Sequence, residues 1–317
     1  MGVASLGALT LLAACSDPPP QKQNPPAATT AQGSGSSRAP KVPTMKPSAA
    51  SASASASAVA PPAVSIEVPT GPVRWTDFSG PVVKPEAKAQ DRVWAAVPVS
   101  AGWDTLKFAL LTVDRLSEDE YVFKPMGTEK RDVFVPGAFV FPAKPAEGLV
   151  KGDAVAVAPK DARAFGRVTS VEGGKVKVRF RYAGDQQEVE VAPDQIIKID
   201  GTLKFGLPAA YRDLKEQEGG AQPKVAWHPG FFVHTAEDKA WIVTTAGKPI
   251  RVPQASVKPL GVQQIHKTGD KVWFAGSDTL VEATVTSVED DGLRYKVKLA
   301  GGEETSASFE SVTTPIR

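Results

Sequence analysis

An internal duplication constrains the fold of this chain more than any other feature of its sequence. Shifting the 317-residue sequence by 117 positions brings four stretches into register without a gap. They are residues 135–140 with 252–257, 152–153 with 269–270, 168–172 with 285–289, and 183–184 with 300–301. The third pair is identical, with the sequence VTSVE in both copies. Chance could supply one such match but hardly four at one offset, so we expect two copies of one structural unit.

Each copy divides again into two parts that have the pattern of short β-strands. Residues 175–182, with the sequence KVKVRFRY, alternate charged and apolar side chains, as is typical of a strand with one buried face. Turn signals such as Gly173-Gly174 separate these runs. Three parts then end with a proline and a return to apolar residues, as at Pro193. Because proline fixes φ and lacks a donor, this pattern predicts a short helical turn before a final strand.

We therefore predict an all-β chain with four small barrels in two duplicated halves. The expected barrel domains are residues 75–149, 150–200, 222–263 and 264–317. Between the second and third we expect a helical spacer over residues 201–221. Pro208 suits the first turn of a helix, and Tyr211 and Leu214 would lie on one apolar face.

Five short strands with a 3₁₀-like turn before the last resemble an SH3-like barrel. The second and fourth parts are similar to the Tudor and agenet branch of these barrels. The second has GDAV at 152–155, and FRYAGD at 180–185 where that family has Phe-x-Asp-Tyr-Gly-Asn. The resemblance covers residues 150–200 and 264–317, and it implies a fold and a binding role.

The N-terminal residues carry a separate signal. Residues 3–14 are apolar and small and end with Leu-Ala-Ala before Cys15, the only cysteine. At ~1.5 Å per residue this run spans roughly 20 Å, which is less than a ~30 Å hydrocarbon core. A signal-peptide apolar region therefore fits better than a transmembrane helix.

Residues 12–15 resemble the lipobox of bacterial lipoproteins, although the basic residues that this family has before its apolar run are absent before Cys15. The resemblance implies that the leader 1–14 is removed and that the Cys15 thiol carries diacylglycerol. Two or three acyl chains, at ~0.8 kcal/mol per buried CH₂, would hold the protein at a membrane. Ser16 implies an outer-membrane location in the cell envelope, facing the periplasm or the cell surface.

Residues 15–74 are predicted to form a disordered linker. Pro, Ala and Ser dominate this segment, and every Trp, Tyr and Phe of the chain lies from Trp75 onward. Such a segment cannot bury enough apolar surface to offset the entropy of ordering its backbone.

The charge of the folded part argues against a general nucleic-acid binder. The chain has 37 Lys and Arg and 35 Asp and Glu, of which five basic and two acidic residues precede Trp75. The remainder, 32 basic against 33 acidic residues, lacks the basic excess that such proteins show.

Aromatic residues are the first candidates for ligand binding. Tudor and agenet domains hold a cation inside a cage of rings, and the resemblance implies a cage at Tyr182 with Phe165 or Phe180 beside it. In the fourth part a leucine takes the matching position, and Trp273 and Tyr295 are the available rings. The alternative, which we favour, is that these rings fill the small cores.

Two basic stripes are the second candidates for ligand binding. Each puts three cations on one strand face, and the 117-residue shift relates them. They are Lys177, Arg179 and Arg181 in the second part, and Arg294, Lys296 and Lys298 in the fourth. Such rows could contact anionic envelope polymers, and the alternative is an ordinary solvated face.

The hairpins that follow the stripes distinguish the two copies. A hairpin about Gly184 would set Glu188 and Glu190 opposite Arg181 and Arg179 and pair these charges. In the fourth part Thr305 and Ala307 take the places of the two carboxylates. The fourth stripe is therefore the better candidate for binding.

The sequence contains little that indicates catalysis or a cofactor. It has no nucleophile-elbow, phosphate-loop or zinc-protease motif. His228 and His234 could share a metal, but no third ligand follows at a known spacing, so we expect ordinary loop histidines.

The sequence favours a non-catalytic, lipid-anchored envelope protein whose barrels bind or scaffold a protein or an envelope polymer. A reader of methylated or cationic side chains, and a hydrolase with its site between barrels, are the alternatives.

Overall fold

The computed structural model describes residues 72–75, 80–99, 103–126, 129–160, 162–182, 184–212 and 226–316. All of them belong to one compact unit, Ile66–Arg317. The predicted leader, the lipidation site Cys15 and the predicted linker as far as residue 71 lie outside the described residues. Within the described residues, no helix has the length and apolar character needed to span a bilayer.

The chain is all-β, as predicted, and the structure divides into four five-stranded barrels. In the first barrel, the second strand is split into β2 and β3. The strands are β1 (Arg92–Pro98), β2 (Leu106–Thr112), β3 (Arg115–Ser117), β4 (Glu120–Phe123), β5 (Val133–Pro136) and β6 (Val140–Pro142), with a 3₁₀ turn at Gly137–Phe139.

The second barrel has its longest strands at its centre. Its strands are β7 (Ala154–Lys160), β8 (Ala162–Glu172), β9 (Lys175–Tyr182), β10 (Asp185–Val191) and β11 (Ile196–Lys198), with a 3₁₀ turn at Pro193–Gln195. One bridge, Ala109 with Ala162, joins β8 to β2 of the first barrel, so these two barrels share an edge.

The third and fourth barrels repeat this arrangement. The third has β12 (Pro208–Tyr211), β13 (His228–Ala236), β14 (Lys239–Thr244), β15 (Pro249–Pro253), a 3₁₀ turn at Gln254–Ser256, and β16 (Val257–Pro259). The fourth has β17 (Lys271–Phe274), β18 (Val281–Glu289), a 3₁₀ turn at Asp290–Gly292, β19 (Arg294–Leu299), β20 (Glu304–Ser308), a 3₁₀ turn at Phe309–Ser311, and β21 (Val312–Thr313).

In every barrel the last strand returns to pair with the first. The second, third and fourth barrels share one strand order, whereas in the first barrel β3, β4 and β5 form a separate three-stranded sheet. The order is β10-β9-β8-β7-β11 in the second barrel, β15-β14-β13-β12-β16 in the third and β20-β19-β18-β17-β21 in the fourth. A 3₁₀ turn precedes the final strand in all four, which confirms that prediction. The turns Gly137–Phe139 and Gln254–Ser256 are 117 residues apart, as the duplication requires.

The prediction of a helix at Pro208 and Tyr211 is wrong, because these residues begin and end strand β12. All four residues of this strand are buried, and it pairs with β13 on one side and β16 on the other. Proline is tolerated as the first residue of a strand. The apolar pattern therefore comes from burial on both faces, and Leu214 lies outside the described residues.

The expectation of several separate small cores is only partly correct. The second and third barrels each have a core of their own, centred on Val178 and Ile242. A larger cluster, however, runs through all four barrels. Because a small barrel has little interior, four large rings pack together in this shared cluster, with Trp75 only partly buried. These rings are Trp75, Trp103, Phe139 and Trp241, with centroids 5.1–6.4 Å apart.

Replacement of Phe139 tests this shared core. Phe139 is fully buried, whereas Phe141 on the next strand is 41% exposed. We expect Phe139→Ala to lower the free energy of unfolding by about 3–5 kcal/mol, through lost burial and the cavity that it leaves. Phe141→Ala, the matched control, should cost about 1 kcal/mol or less. Urea unfolding followed by tryptophan fluorescence measures both, and equal losses would contradict the assignment.

Candidate functional site

A buried arginine fixes the second barrel against the fourth. Arg167 on β8 is 5% exposed, and its guanidinium donates to four backbone carbonyl oxygens. The acceptors are Gly152 and Gln263 at 3.2 Å, and Gln264 and Gly292 at 3.3 Å. Burial lowers the pKa of Arg167, but a guanidinium starts from so high a pKa that it keeps its charge. The contact therefore sets the relative position of the two barrels.

The turn after β18 adds two ion pairs to this junction. Asp291 accepts a hydrogen bond from Arg179 at 2.7 Å, and Asp290 pairs with Arg181. Both aspartates have positive φ, 56° and 52°, which is uncommon for residues other than glycine and costs on the order of 1–3 kcal/mol. The carboxylates of this turn therefore contact the basic stripe of another barrel.

A cavity of about 720 Å³ lies between the second and fourth barrels, and we call it the charged groove. Side chains of both signs line it together with two hydroxyl groups. They include Lys151, Ser170, Glu172, Lys177, Glu188 and Asp291. A concave, mixed-charge surface of this kind can bind a polar ligand by several charge-assisted hydrogen bonds.

A second cavity of about 220 Å³, which we call the small pocket, lies at the same junction. Its polar residues come from β8, β9, β20 and the 3₁₀ turn that follows β20. They are Arg163, Arg181, Tyr182, Ser308 and Glu310. Phe165, Leu293 and Phe309 supply apolar surface. The pocket therefore combines both signs of charge with a partly apolar lining.

Arg163 occupies an aromatic cage made by the protein itself. Its guanidinium carbon lies 3.9 Å from the ring centre of Phe231, 4.4 Å from Phe108 and 4.6 Å from Phe165. It also donates a hydrogen bond to the carbonyl of Gly206. Desolvation lowers the pKa of Arg163, but such stacking keeps the cation favourable. Phe165 therefore packs against a cation of the same chain, and the cage around Arg163 includes neither Tyr182 nor Phe180, the rings that were expected beside it.

Glu310 faces the small pocket without an ion pair. The residue is half-buried, and no cation of the described residues lies within 4 Å of its carboxylate. Burial raises the pKa of Glu310, and hydrogen bonds from its own amide and from Ser308, together with the charge of Arg163, oppose this shift. The carboxylate is therefore an acceptor whose charge is only partly compensated.

The other predicted cage rings do not form a second cage. Phe180 and Tyr295 are 1% and 0% exposed, and the Tyr295 hydroxyl accepts the amide hydrogen of His266 at 3.2 Å. Trp273 is half-buried against the large core. Tyr182 is 56% exposed, and among the described residues no ring packs against it. A cage at Tyr295 is therefore excluded by its burial.

The two basic stripes differ from the predicted arrangement in their pairing. The second hairpin turns between Tyr182 and Asp185, so Arg179 opposes Glu188 and Arg181 opposes Gln186. The predicted partners of Arg179 and Arg181 lie two residues too late in the sequence, because the hairpin turns earlier than the prediction assumed. Arg179 and Glu188 lie 3.5 Å apart.

The fourth stripe is partly neutralised as well. Arg294 contacts Glu289 at 2.5–2.6 Å, and Lys296 lies 3.7 Å from the same carboxylate. Lys298 is exposed, has no ion pair within 4 Å among the described residues, and opposes Glu304. Contrary to the prediction, Thr305 and Ala307 oppose the inward residues Val297 and Tyr295, because the pairing is shifted by one residue.

Metal binding finds no support at the histidines. Among the described residues there is no group of three or more His, Cys, Asp or Glu side chains that could hold a metal ion. His228 lies on β13, where its Nδ1 is 2.7 Å from the carbonyl oxygen of Asp278 and its ring stacks on Tyr211.

Comparison with known proteins gives little further information. No protein-family model matches the chain, and no curated protein is significantly similar. Among solved structures, the chain is similar to AGD34 of Arabidopsis thaliana AGDP1, with 14% identity and a TM-score of 0.22 over 35% of this chain and 81% of that chain. The four MBT repeats of Drosophila melanogaster Sfmbt, solved with the peptide RHR(me)KVLR, have 10% identity and a TM-score of 0.14, over 72% and 88%. Both scores are below 0.5, so neither likeness carries an argument.

No motif in the sequence points to Arg163, Arg167 or Glu310 as site residues. These positions are where the duplication is broken: at the 117-residue offset they correspond to Leu280, Thr284 and Pro193. The signal that could have identified them is the difference between the copies, since each is charged in one copy and uncharged in the other.

The raised pKa of Glu310 predicts how the stability of the fold depends on pH. Because its folded-state pKa is raised, its ionisation destabilises the fold, and this cost is absent at pH 4 and develops as pH rises. We expect Glu310→Gln to match the parent chain near pH 4 and to exceed its stability at pH 8 by up to about 1 kcal/mol, given solvent screening of a half-buried group. Urea unfolding at both pH values measures this. The exposed control Glu303→Gln should show no such trend, and a pH-independent difference would refute the prediction.

Proposed function

We propose that this chain is a non-catalytic binding protein of the bacterial cell envelope, anchored through Cys15, that holds a protein or an envelope polymer in the charged groove. The observation that carries the proposal is the groove itself. It is about 720 Å³ in volume and spans two barrels. Arg167 and the Asp290 and Asp291 ion pairs fix these barrels, so the groove is preformed. A preformed site loses less entropy on binding.

The mixture of charges in the groove supports a ligand that carries both signs. Lys151 and Lys177 lie on the same surface as Glu172, Glu188 and Asp291. A row of nucleic-acid phosphates would meet the carboxylates as well as the lysines, so nucleic acid fits poorly. A peptide, or a cell-wall polymer with peptide branches, can present amines to the carboxylates and carboxylates to the lysines.

The two alternatives are less well supported. A methyl-lysine reader requires several exposed rings around a cation, but the cage at Arg163 already holds its own guanidinium. A hydrolase requires a nucleophile with a neighbouring base. In the small pocket, Ser308 lies 3.1 Å from the Ser311 hydroxyl and hydrogen-bonds to the Glu310 carboxylate. Neither partner is the imidazole or amine that usually activates a serine, and no His or Lys is among the described residues that line this pocket.

Charge reversal in the groove tests the binding role. We expect Lys177→Glu to reduce capture from envelope extracts about tenfold or more, because each charge-assisted hydrogen bond contributes about 1.5–3 kcal/mol. Lys84→Glu, an exposed reversal on the first barrel, should leave capture unchanged. A quantitative pull-down with the full chain measures both. If Lys298→Glu alone removed capture, the ligand would sit on β19 instead of in the groove.

Membrane fractionation tests the anchor. We expect the full chain to sediment with membranes and Cys15→Ala to move to the soluble fraction, because acyl chains supply most of the membrane affinity. Ser16→Ala is the matched control and should remain with membranes. Retention of Cys15→Ala in the membrane fraction would show that lipid attachment is not what holds the protein there.

A further inference from the structure

The small pocket contains two oppositely charged side chains that face one cavity without forming an ion pair with each other. We propose that this pocket binds an α-zwitterion, a free amino acid whose carboxylate contacts Arg163 and whose ammonium contacts Glu310. The inference is independent of polymer binding in the charged groove, because neither of these two side chains lines that groove.

Arg163 is prepared for a carboxylate. Three phenylalanine rings pack against its guanidinium at 3.9–4.6 Å, and the Gly206 carbonyl accepts one of its hydrogens. A guanidinium has five N–H donors and Arg163 lines the small pocket, so donors remain for a carboxylate, which a guanidinium can bind with two parallel hydrogen bonds. The held side chain therefore loses little conformational freedom when a ligand binds.

Glu310 is prepared for an ammonium group. The neighbouring Phe309 is 1% exposed and anchors the turn that carries Glu310. In the part of the chain that the structure describes, no cation lies within 4 Å of the Glu310 carboxylate. An ammonium group placed there would compensate a charge that burial now penalises.

The remaining charges of the pocket exclude simple ions. Arg181 is already engaged by Asp290 and by the Gly184 carbonyl. An anion alone would be repelled by Glu310, and a cation alone would be repelled by Arg163. A zwitterion satisfies both groups at once.

The size of the pocket limits the ligand to a single amino acid. Its volume of about 220 Å³ is below the roughly 300–1,000 Å³ of typical small-molecule sites. Phe165, which is only partly buried, lines the pocket and suits a small apolar side chain. Glycine and alanine are therefore the appropriate probes.

Isothermal titration calorimetry of the full chain at pH 7 tests the proposal. L-Alanine and glycine should bind saturably with one site per chain. N-Acetylalanine lacks the ammonium and alanine amide lacks the carboxylate, so each should bind about tenfold more weakly or not at all. Alanyl-alanine, whose charges are separated by a peptide unit, should also bind at least about tenfold more weakly. Binding of N-acetylalanine or alanyl-alanine as tight as that of alanine would overturn the proposal.

Two variants test whether the amino acid binds in the small pocket. Glu310→Gln should weaken alanine binding about tenfold or more, and Arg163→Lys should do the same because it removes the paired donor edge. Glu303→Gln, an exposed carboxylate in the turn before β20, is the matched control and should bind alanine normally. Absence of saturable heat in the parent chain, or equal weakening in all three variants, would refute the site. Because Glu310 does not line the charged groove, Glu310→Gln should still capture its partner from envelope extracts. Loss of alanine binding with normal capture therefore concerns the small pocket alone.

Discussion

Arg167 is the contact on which the relative positions of the second and fourth barrels depend. Its guanidinium is buried and donates to carbonyl oxygens of the second barrel, the connecting segment and the fourth barrel. A buried cation without acceptors would cost several kcal/mol, so the surrounding backbone can occupy only arrangements that supply them. The geometry of both cavities follows, because Arg167 lines the charged groove and its neighbour Phe309, 4.8 Å away, lines the small pocket.

The barrels share one topology but not one way of burying their side chains. A barrel of about fifty residues has too little interior for several large rings, so its stability depends on neighbours. The second barrel keeps a compact aliphatic core and the third a small core that includes Tyr211 and Phe232, whereas Trp75, Trp103 and Trp241 pack together where the first and third barrels meet. The four copies therefore form one compact unit instead of independent modules.

The same junctions explain where charged groups lie. Arg163 from the second barrel is enclosed by rings from the first, second and third, while Glu310 of the fourth faces the same pocket. Packing of barrels brings together charges that are distant in sequence and excludes water from them. This is how the candidate sites arise, since no single barrel contains a complete one.

Three features could be predicted from the sequence alone, because they depend on local alternation and turn chemistry. They are the all-β class, the duplication and the repeated 3₁₀ turn before each final strand. The strand that begins at Pro208 could not be predicted, because a strand buried on both faces has the same apolar pattern as a helix. The two hairpin registers and the contacts of Arg163 and Glu310 were also decided by tertiary structure, because they depend on turn length and on how separate barrels pack. Local pattern thus determined what each segment is, and the packing of desolvated charges and rings between barrels decided which segments meet.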